Sequence, residues 1–466
     1  MDATRAVADF VVHSSLRGFG DDVVAQGKRC IIDGIGVILA GSAAAAATIV
    51  RKQIRALGGV EDASVLGVEP FAAPASLAAR ANAIAGHALD FDDTQLSNHP
   101  ERIFGLLTHP TIPPLAAALA VGEQLSVSGA RLLEAFLIGF EVECKIAEAI
   151  NPNHYKNGFH SSGTIGAFGA ATAAAKLLGL DHAQTTMAVG IVASLASGIR
   201  AGFGTMTKPL HVGRAAENGV VAAQLARLGF TADGAALDGK WGFFQVLGGG
   251  FDAERIIGAL GNPPSILDPG VSVKPYPCGS LSHPSADAML ELVVENDVRP
   301  EQIDRIRVRA GSNILNPLRY GLARTELEAK FSLPFIMSSL ALRRRAGIHE
   351  FQDEFVLSQP VQEMMQRVDR VLDPDIEAKG YDKMRSIIEI HLKDGRVLRE
   401  PAEVYRGGPE RPFTRQELHG KYRDCAEGVL DDARLARSLE LLESLDELEN
   451  IHELVETLAN PAYAVR

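Results

Sequence analysis

The sequence predicts a mostly α fold: a large all-helical domain over residues 1–265 and a smaller α+β domain over 270–405, with residues 412–466 returning to the helical domain. Three observations carry this expectation. Apolar residues recur with helical spacing from the N-terminus to about residue 265. The stretch GNPPSILDPG, residues 261–270, then breaks the pattern with two glycines and three prolines. Beyond it, charge-interleaved runs such as IDRIRVRAG read as strands, and helical periodicity returns only near 412.

The elements follow in order. Asp21 and Asp22 are placed to cap a helix whose Val24, Ile31, Ile35 and Leu39 share one face. The apolar run at 34–50 is short and rich in Ala and Gly, so it reads as a buried helix rather than a membrane span. Residues 112–122 and 165–178 are helical and alanine-rich. In 131–150, Leu133, Phe136, Leu137, Phe140 and Cys144 form an apolar stripe, and Glu134, Glu141 and Glu148 fall opposite it, on an expected solvated face. In GTIGAFGAATAAAKLLG, Gly163, Gly166 and Gly169 are spaced for close helix approach and not as a dinucleotide fingerprint. Ile303, Ile306 and Val308 mark a strand, residues 326–345 a helix, and RSIIEIHLKDGRVL two strands joined at Lys393-Asp394-Gly395. Ser444 and Glu447 form a capping box ahead of Leu448, Ile451, Leu454, Val455 and Leu458.

Composition narrows the function. The net charge of −12 argues against nucleic acid, though an acidic chain can hold a local cationic pocket. Cys30, Cys144, Cys278 and Cys425 are far apart and lack metal-type spacing, which fits reduced thiols in a cytoplasm. The first residues, MDATRAVADF, do not read as a secretory signal. No HExxH, calcium-loop or GxSxG motif is present, so neither a metal site nor a serine hydrolase is expected.

Four separated stretches carry candidate chemistry. GHALDFDDTQLSNHPERIFGLLTHPT, 86–111, holds Asp90, Asp92, Asp93, Thr94 and His109. NPNHYKNGFHSSGTIG holds His160, and GTMTKPLHVGRAAENG holds Lys208, His211 and Arg214. VKPYPCGSLSHPSADAM holds Lys274, Tyr276, Cys278 and His283. Bland readings compete: the aspartates can cap helices, His211 can be a satisfied half-buried residue, and Cys278 can be core. Lys208 lies in an otherwise apolar run, and a buried ammonium requires an anion nearby. What remains is acid/base chemistry from carboxylates, imidazoles and amines.

The blocks HALDFDDT (87–94), THPT (108–111), GFHSSGTIGAFGAA (158–171), GTMTKPLHVGRAAENG (204–219) and KPYPCGSLSH (274–283) resemble, in order, those of the MmgE/PrpD family. That family includes 2-methylcitrate dehydratases, cis-aconitate decarboxylases and iminodisuccinate epimerases. The resemblance implies a helical and an α+β domain with the active-site cleft between them, a homodimer, and no organic cofactor. It implies a pocket holding Asp90, Thr94, His109, His160, Lys208 and Lys274, with Tyr320 a looser match; of these Asp90, His109, His160 and Lys208 are expected to be catalytic, and Thr94, Lys274 and Tyr320, with His283 of the last block, to bind substrate. The expected substrate is a small di- or tricarboxylate, with no nucleic-acid or membrane partner.

Two departures stand out against the family pattern. QLSNHPERIFGLL is a long link between Thr94 and His109 and adds His99 and Arg102. Gly279 stands where the decarboxylases carry a further histidine. The resemblance therefore ranks dehydration of a hydroxylated polycarboxylate first, with epimerisation and decarboxylation next and a carboxylate binder without turnover as the non-enzymatic alternative. In the expected mechanism Lys208 and Lys274 stabilise developing negative charge, His109 and His160 divide the base and acid roles, and Asp90 orients a histidine.

Overall fold

The computed structural model describes residues 3–96, 106–380 and 383–459, with the side chains of residues 106 and 107 excepted. His99 and Arg102 lie outside the described residues. The described residues form two compact units: 3–96, 106–271 and 414–459 in one, and 272–380 with 383–413 in the other.

The first unit is a helical assembly with two small antiparallel hairpins, Ala63–Val65 with Phe71–Ala73 and Gln95–Leu96 with Leu106–Thr108. Its core is the crossing of the helices Ala75–Ala88, Gly166–Leu178 and Thr207–Arg227. Small residues permit it. A Cβ on Gly219 would stand 2.5 Å from the Ala171 backbone nitrogen, and one on Gly169 would stand 3.0 Å from the Gly139 carbonyl oxygen. The glycine spacing at 163–169 thus serves close packing, as expected.

The helix Asp21–Gly41 begins with both aspartates inside its first turn, and Gly20 is the capping residue. From Cys30 to Leu39 it is buried all round, so its apolar residues are not confined to a single face. The apolar run at 34–50 divides between this helix and Ala45–Leu57, separated by a turn after Gly41. Among the described residues no single helix is long and apolar enough to cross a membrane; these two pass that test only together, bent by 81°.

In the returning C-terminal segment the helix Arg415–Ala426 packs on Asp21–Gly41, and Lys421 Nζ pairs with buried Asp33 Oδ1 at 2.7 Å. The expected capping box is absent. Ser444 precedes only the short turn Leu445–Glu447 and makes no capping bond. The helix instead starts at His452, whose N–H donates to Asn450 Oδ1 at 2.7 Å. An Asn two residues ahead of the helix captures one of its orphan N–H donors.

The second unit is built on a four-stranded sheet in the order Val368–Leu372, Ile303–Ala310, Ser386–Leu392, Val397–Ala402. The first pair is parallel and the others antiparallel. Ile303, Ile306, Val308 and Ala310 are buried, while Arg309 pairs with Asp373 and Glu389. This alternation gives the sheet one apolar and one charged face. The helices His283–Glu295 and Leu333–Arg343 pack against the sheet and each other. The expected helix 326–345 is broken into Glu326–Ala329 and Leu333–Arg343. Pro334 lacks an N–H, so it starts a helix better than it continues one, and Ser332 Oγ caps the new start by accepting from the Phe335 N–H.

Candidate active site

The site in the first unit begins where the helix Ala75–Ala88 ends. Asp90 adopts a left-handed φ of 54°, a conformation that Asp tolerates better than most residues. The turn places Asp90, Asp92, Asp93 and Thr94 in one buried loop. Lys421 fastens that loop from the C-terminal segment: Nζ donates to the Phe91 carbonyl at 2.8 Å and lies 3.9 Å from the Phe91 ring centroid.

Lys208 reaches the loop from the first turn of Thr207–Arg227, where Pro209 needs no intrahelical N–H partner. Its Nζ donates to Asp90 Oδ1 at 2.7 Å and to His87 Nε2 at 2.8 Å. The anion that a buried lysine demands is therefore Asp90. An ammonium only donates, so His87 Nε2 accepts and Nδ1 carries the proton. That proton goes to Asp92 Oδ2 at 2.7 Å. The result is a continuous chain, Asp92–His87–Lys208–Asp90. Burial, reinforced by Lys208, holds the His87 imidazolium below its ordinary range against the pull of Asp92.

His109 lies edge-on to His87, with ring centroids 4.7 Å apart. Its Nδ1 donates to the Asp93 carbonyl at 2.9 Å, which puts the neutral ring's lone pair on Nε2. Its backbone N–H donates to Ser162 Oγ at 2.9 Å. Asp93 accepts from Thr111 Oγ1 at 2.5 Å at the start of the helix Ile112–Gln124. Burial nonetheless pushes the Asp93 carboxyl up to about 8. It is therefore a neutral acid through most of the neutral range.

His160 precedes the short helix Ser161–Thr164 and is 2% exposed. Its ring stacks on His87 at 5.5 Å and meets Phe203 edge-on at 5.0 Å. Its Nδ1 is 3.2 Å from His211 Nδ1, and its Nε2 has no hydrogen-bond partner among the described residues. Burial, with neighbouring His87 and Lys208, drives its imidazolium well below the usual range.

Asp90, His109, His160 and Lys208 are thus gathered in the first unit. Thr94 is fully buried there, and its Oγ1 has no hydrogen-bond partner among the described residues. Lys274, His283 and Tyr320 belong to the second unit. Lys274 is 1% exposed. His283 begins a helix, lies edge-on to Tyr276 and Tyr405, and its Nε2 is 3.3 Å from the Cys278 carbonyl oxygen. Tyr320 is half-buried, and its hydroxyl accepts from Arg319 at 3.1 Å. Cys278 is buried core with Ser282 Oγ 3.3 Å from its sulfur.

Sequence reasoning missed His87, Asp92 and Glu143 as members of this network. His87 stood inside HALDFDDT and was identifiable as a chemistry-bearing residue there. Glu143 had no such signal. It is fully buried, accepts from Thr108 Oγ1 at 2.5 Å, and burial raises its carboxyl well above the ordinary range. The expected solvated glutamate face is also corrected. Glu141 and Glu148 are buried, and Glu141 accepts the N–H groups of Gly261 and Ser265, each at 2.7 Å. Those loop donors and the Lys145 ammonium at 3.7 Å compensate a carboxylate that periodicity alone assigns to water.

Donor atoms of His87, Asp90 and His109 lie within 4.8 Å of one another, close enough to surround a metal ion. The Lys208 ammonium already contacts two of the three residues, standing where such a cation would bind.

The chain matches the MmgE/PrpD N-terminal domain over residues 5–256 and the MmgE/PrpD C-terminal domain over 276–447. It is similar to the cis-aconitate decarboxylase of Homo sapiens, 28% identical over 95% of this chain and 91% of that protein. The Mus musculus cis-aconitate decarboxylase is 28% identical over 98% of this chain and 94% of its own length. The cis-aconitate decarboxylase-like protein oryM of Aspergillus oryzae is 26% identical over 97% and 96%. With both domain models matched in order along one chain, this protein belongs to the MmgE/PrpD family.

Proposed function

We propose that this protein is a lyase of small polycarboxylates and that its reaction is decarboxylation of cis-aconitate or a close analogue. The full-length similarity to proteins named cis-aconitate decarboxylase supports this ordering over the dehydratase that sequence motifs alone favour. The observation that carries the catalytic reading is the buried imidazole of His160, with Nε2 unpartnered among the described residues, stacked beside the Lys208–His87 network.

Decarboxylation of an unsaturated tricarboxylate has a simple balance. The C–C bond to the departing carboxylate breaks and CO2 leaves. Its electron pair forms a new C=C, the old double bond shifts, and the former alkene carbon takes one proton. The enzyme must supply that proton and stabilise charge beside a carboxylate as it builds. In this reading His160 is the acid. His109, whose tautomer is set by the Asp93 carbonyl, is the base that resets the site. Lys208 steadies negative charge, while Thr94, Lys274, His283 and Tyr320 are proposed to hold substrate carboxylates.

Elimination of water is the second reading, favoured by Gly279. A Cβ there would meet Leu318 Cδ2 at 3.0 Å, so a larger side chain requires Leu318 to move. Incubation with cis-aconitate and with 2-methylcitrate in D2O, followed by NMR, separates the readings. Decarboxylation gives CO2 and a dicarboxylate carrying one deuterium on carbon. Dehydration gives loss of hydroxyl and a new alkene signal. Exchange at a stereocentre without net reaction indicates epimerisation, and saturable binding with no chemistry overturns the enzymatic reading.

A further inference from the structure

His211 stands one helical turn beyond Lys208 and is half-buried, whereas its neighbour His160 is 2% exposed. The two Nδ1 atoms are 3.2 Å apart, so one ring must be protonated there for the contact to be a hydrogen bond. The surrounding fold reserves space for the second imidazole. A Cβ on Gly163 would lie 2.7 Å from His211 Cβ, one on Gly198 would lie 3.2 Å from Cγ, and one on Gly202 would lie 3.4 Å from Cε1. Three glycines from separate turns therefore border one ring.

Electrostatics give the arrangement a purpose. Lys208 is already matched by Asp90, and His160 faces His87, His109, His211 and Lys208, all of which oppose its protonation. Burial, with His87 and Lys208, holds His211 down to about 4. Both rings are neutral at rest near pH 7. A polycarboxylate bound beside these rings adds negative charge that favours an imidazolium. A proton must then enter a ring that is almost sealed from water.

We propose that His211 is the port through which protons pass from solvent to His160. This rests on the proton-donating role of His160 proposed above. The balance is one proton in and one out. Solvent protonates His211 at Nε2, His211 passes its Nδ1 proton to His160 Nδ1, and His160 releases its Nε2 proton to substrate carbon. Both rings end neutral in the opposite tautomer and reset by returning to the starting one. His211 acts through His160 and does not touch substrate.

The test uses the full-length protein, selectively 15N-labelled at histidine. In His211→Gln, exchange of the His160 ring proton with water should slow by at least about tenfold, measured with propane-1,2,3-tricarboxylate added as an unreactive anion. In turnover, His211→Ala should lower kcat by at least about tenfold with KM within about twofold, and added imidazole should restore rate in a manner that depends on the pKa of the imidazole used. A purely structural residue would show no such pKa-dependent rescue. Unchanged exchange at His160 in His211→Gln overturns the port. The exchange measurement needs no turnover, so it decides the matter even if wild-type protein converts none of the acids, a result that would overturn the functional reading instead.

Discussion

Lys208 Nζ lies 2.7 Å from Asp90 Oδ1, with both side chains 6% exposed, and the same ammonium donates to His87 Nε2 at 2.8 Å. A buried cation is held here by one carboxylate and one imidazole lone pair. Removing one member of such a pair strands the other in a medium that solvates charge poorly. Lys208→Met should therefore lower stability by about 3–5 kcal/mol, and adding Asp90→Asn should recover much of the loss. Denaturant unfolding of the single and double variants checks this. A double variant whose loss equals the sum of the two single losses would show that the pair is not energetically coupled.

The chain Asp92–His87–Lys208 fixes one tautomer of His87. At pH 7, 15N NMR should show His87 neutral with its proton on Nδ1. Asp92→Asn keeps the side-chain shape but weakens the acceptor, and should lower turnover by about tenfold or more while the fold persists. A His87 spectrum with the proton on Nε2 would contradict the donor order derived from Lys208.

Asp93 links the site to pH. Unfolded, its carboxyl ionises near 4, while burial pushes the folded group up to about 8. The folded state binds the extra proton between these values. The group's stabilising contribution is complete below about 4 and is lost as pH rises toward 8, by up to about 1.4 kcal/mol per pH unit. Melting temperatures of wild type and Asp93→Asn should therefore converge or cross as pH rises through this window, with wild type losing more. A difference that stays constant with pH would mean that Asp93 is ionised in the folded protein.

Periodicity and punctuation made the architecture legible where local signals act alone. The strands around Ile306 and Ile388, the turn at Gly395 and the close-packing glycines all follow from spacing and backbone freedom. Tertiary compensation escaped the sequence. Glu141 reads as solvated until the Gly261 and Ser265 N–H groups close on it, and Glu143 is neutralised by burial that no nearby residue announces. The site was visible as blocks of residue types, but its wiring was not. Asp90 pairs with Lys208, and the carboxylate aligned on His87 is Asp92, a distinction that depends on a left-handed turn at Asp90.

The most direct measurement of the account is steady-state turnover of cis-aconitate by His160→Ala beside wild type, with melting temperature recorded for both. The account predicts that wild type releases CO2 and that the variant, melting near the wild-type temperature, loses at least about a hundredfold in kcat. A folded His160→Ala protein that turns over at the wild-type rate would contradict it.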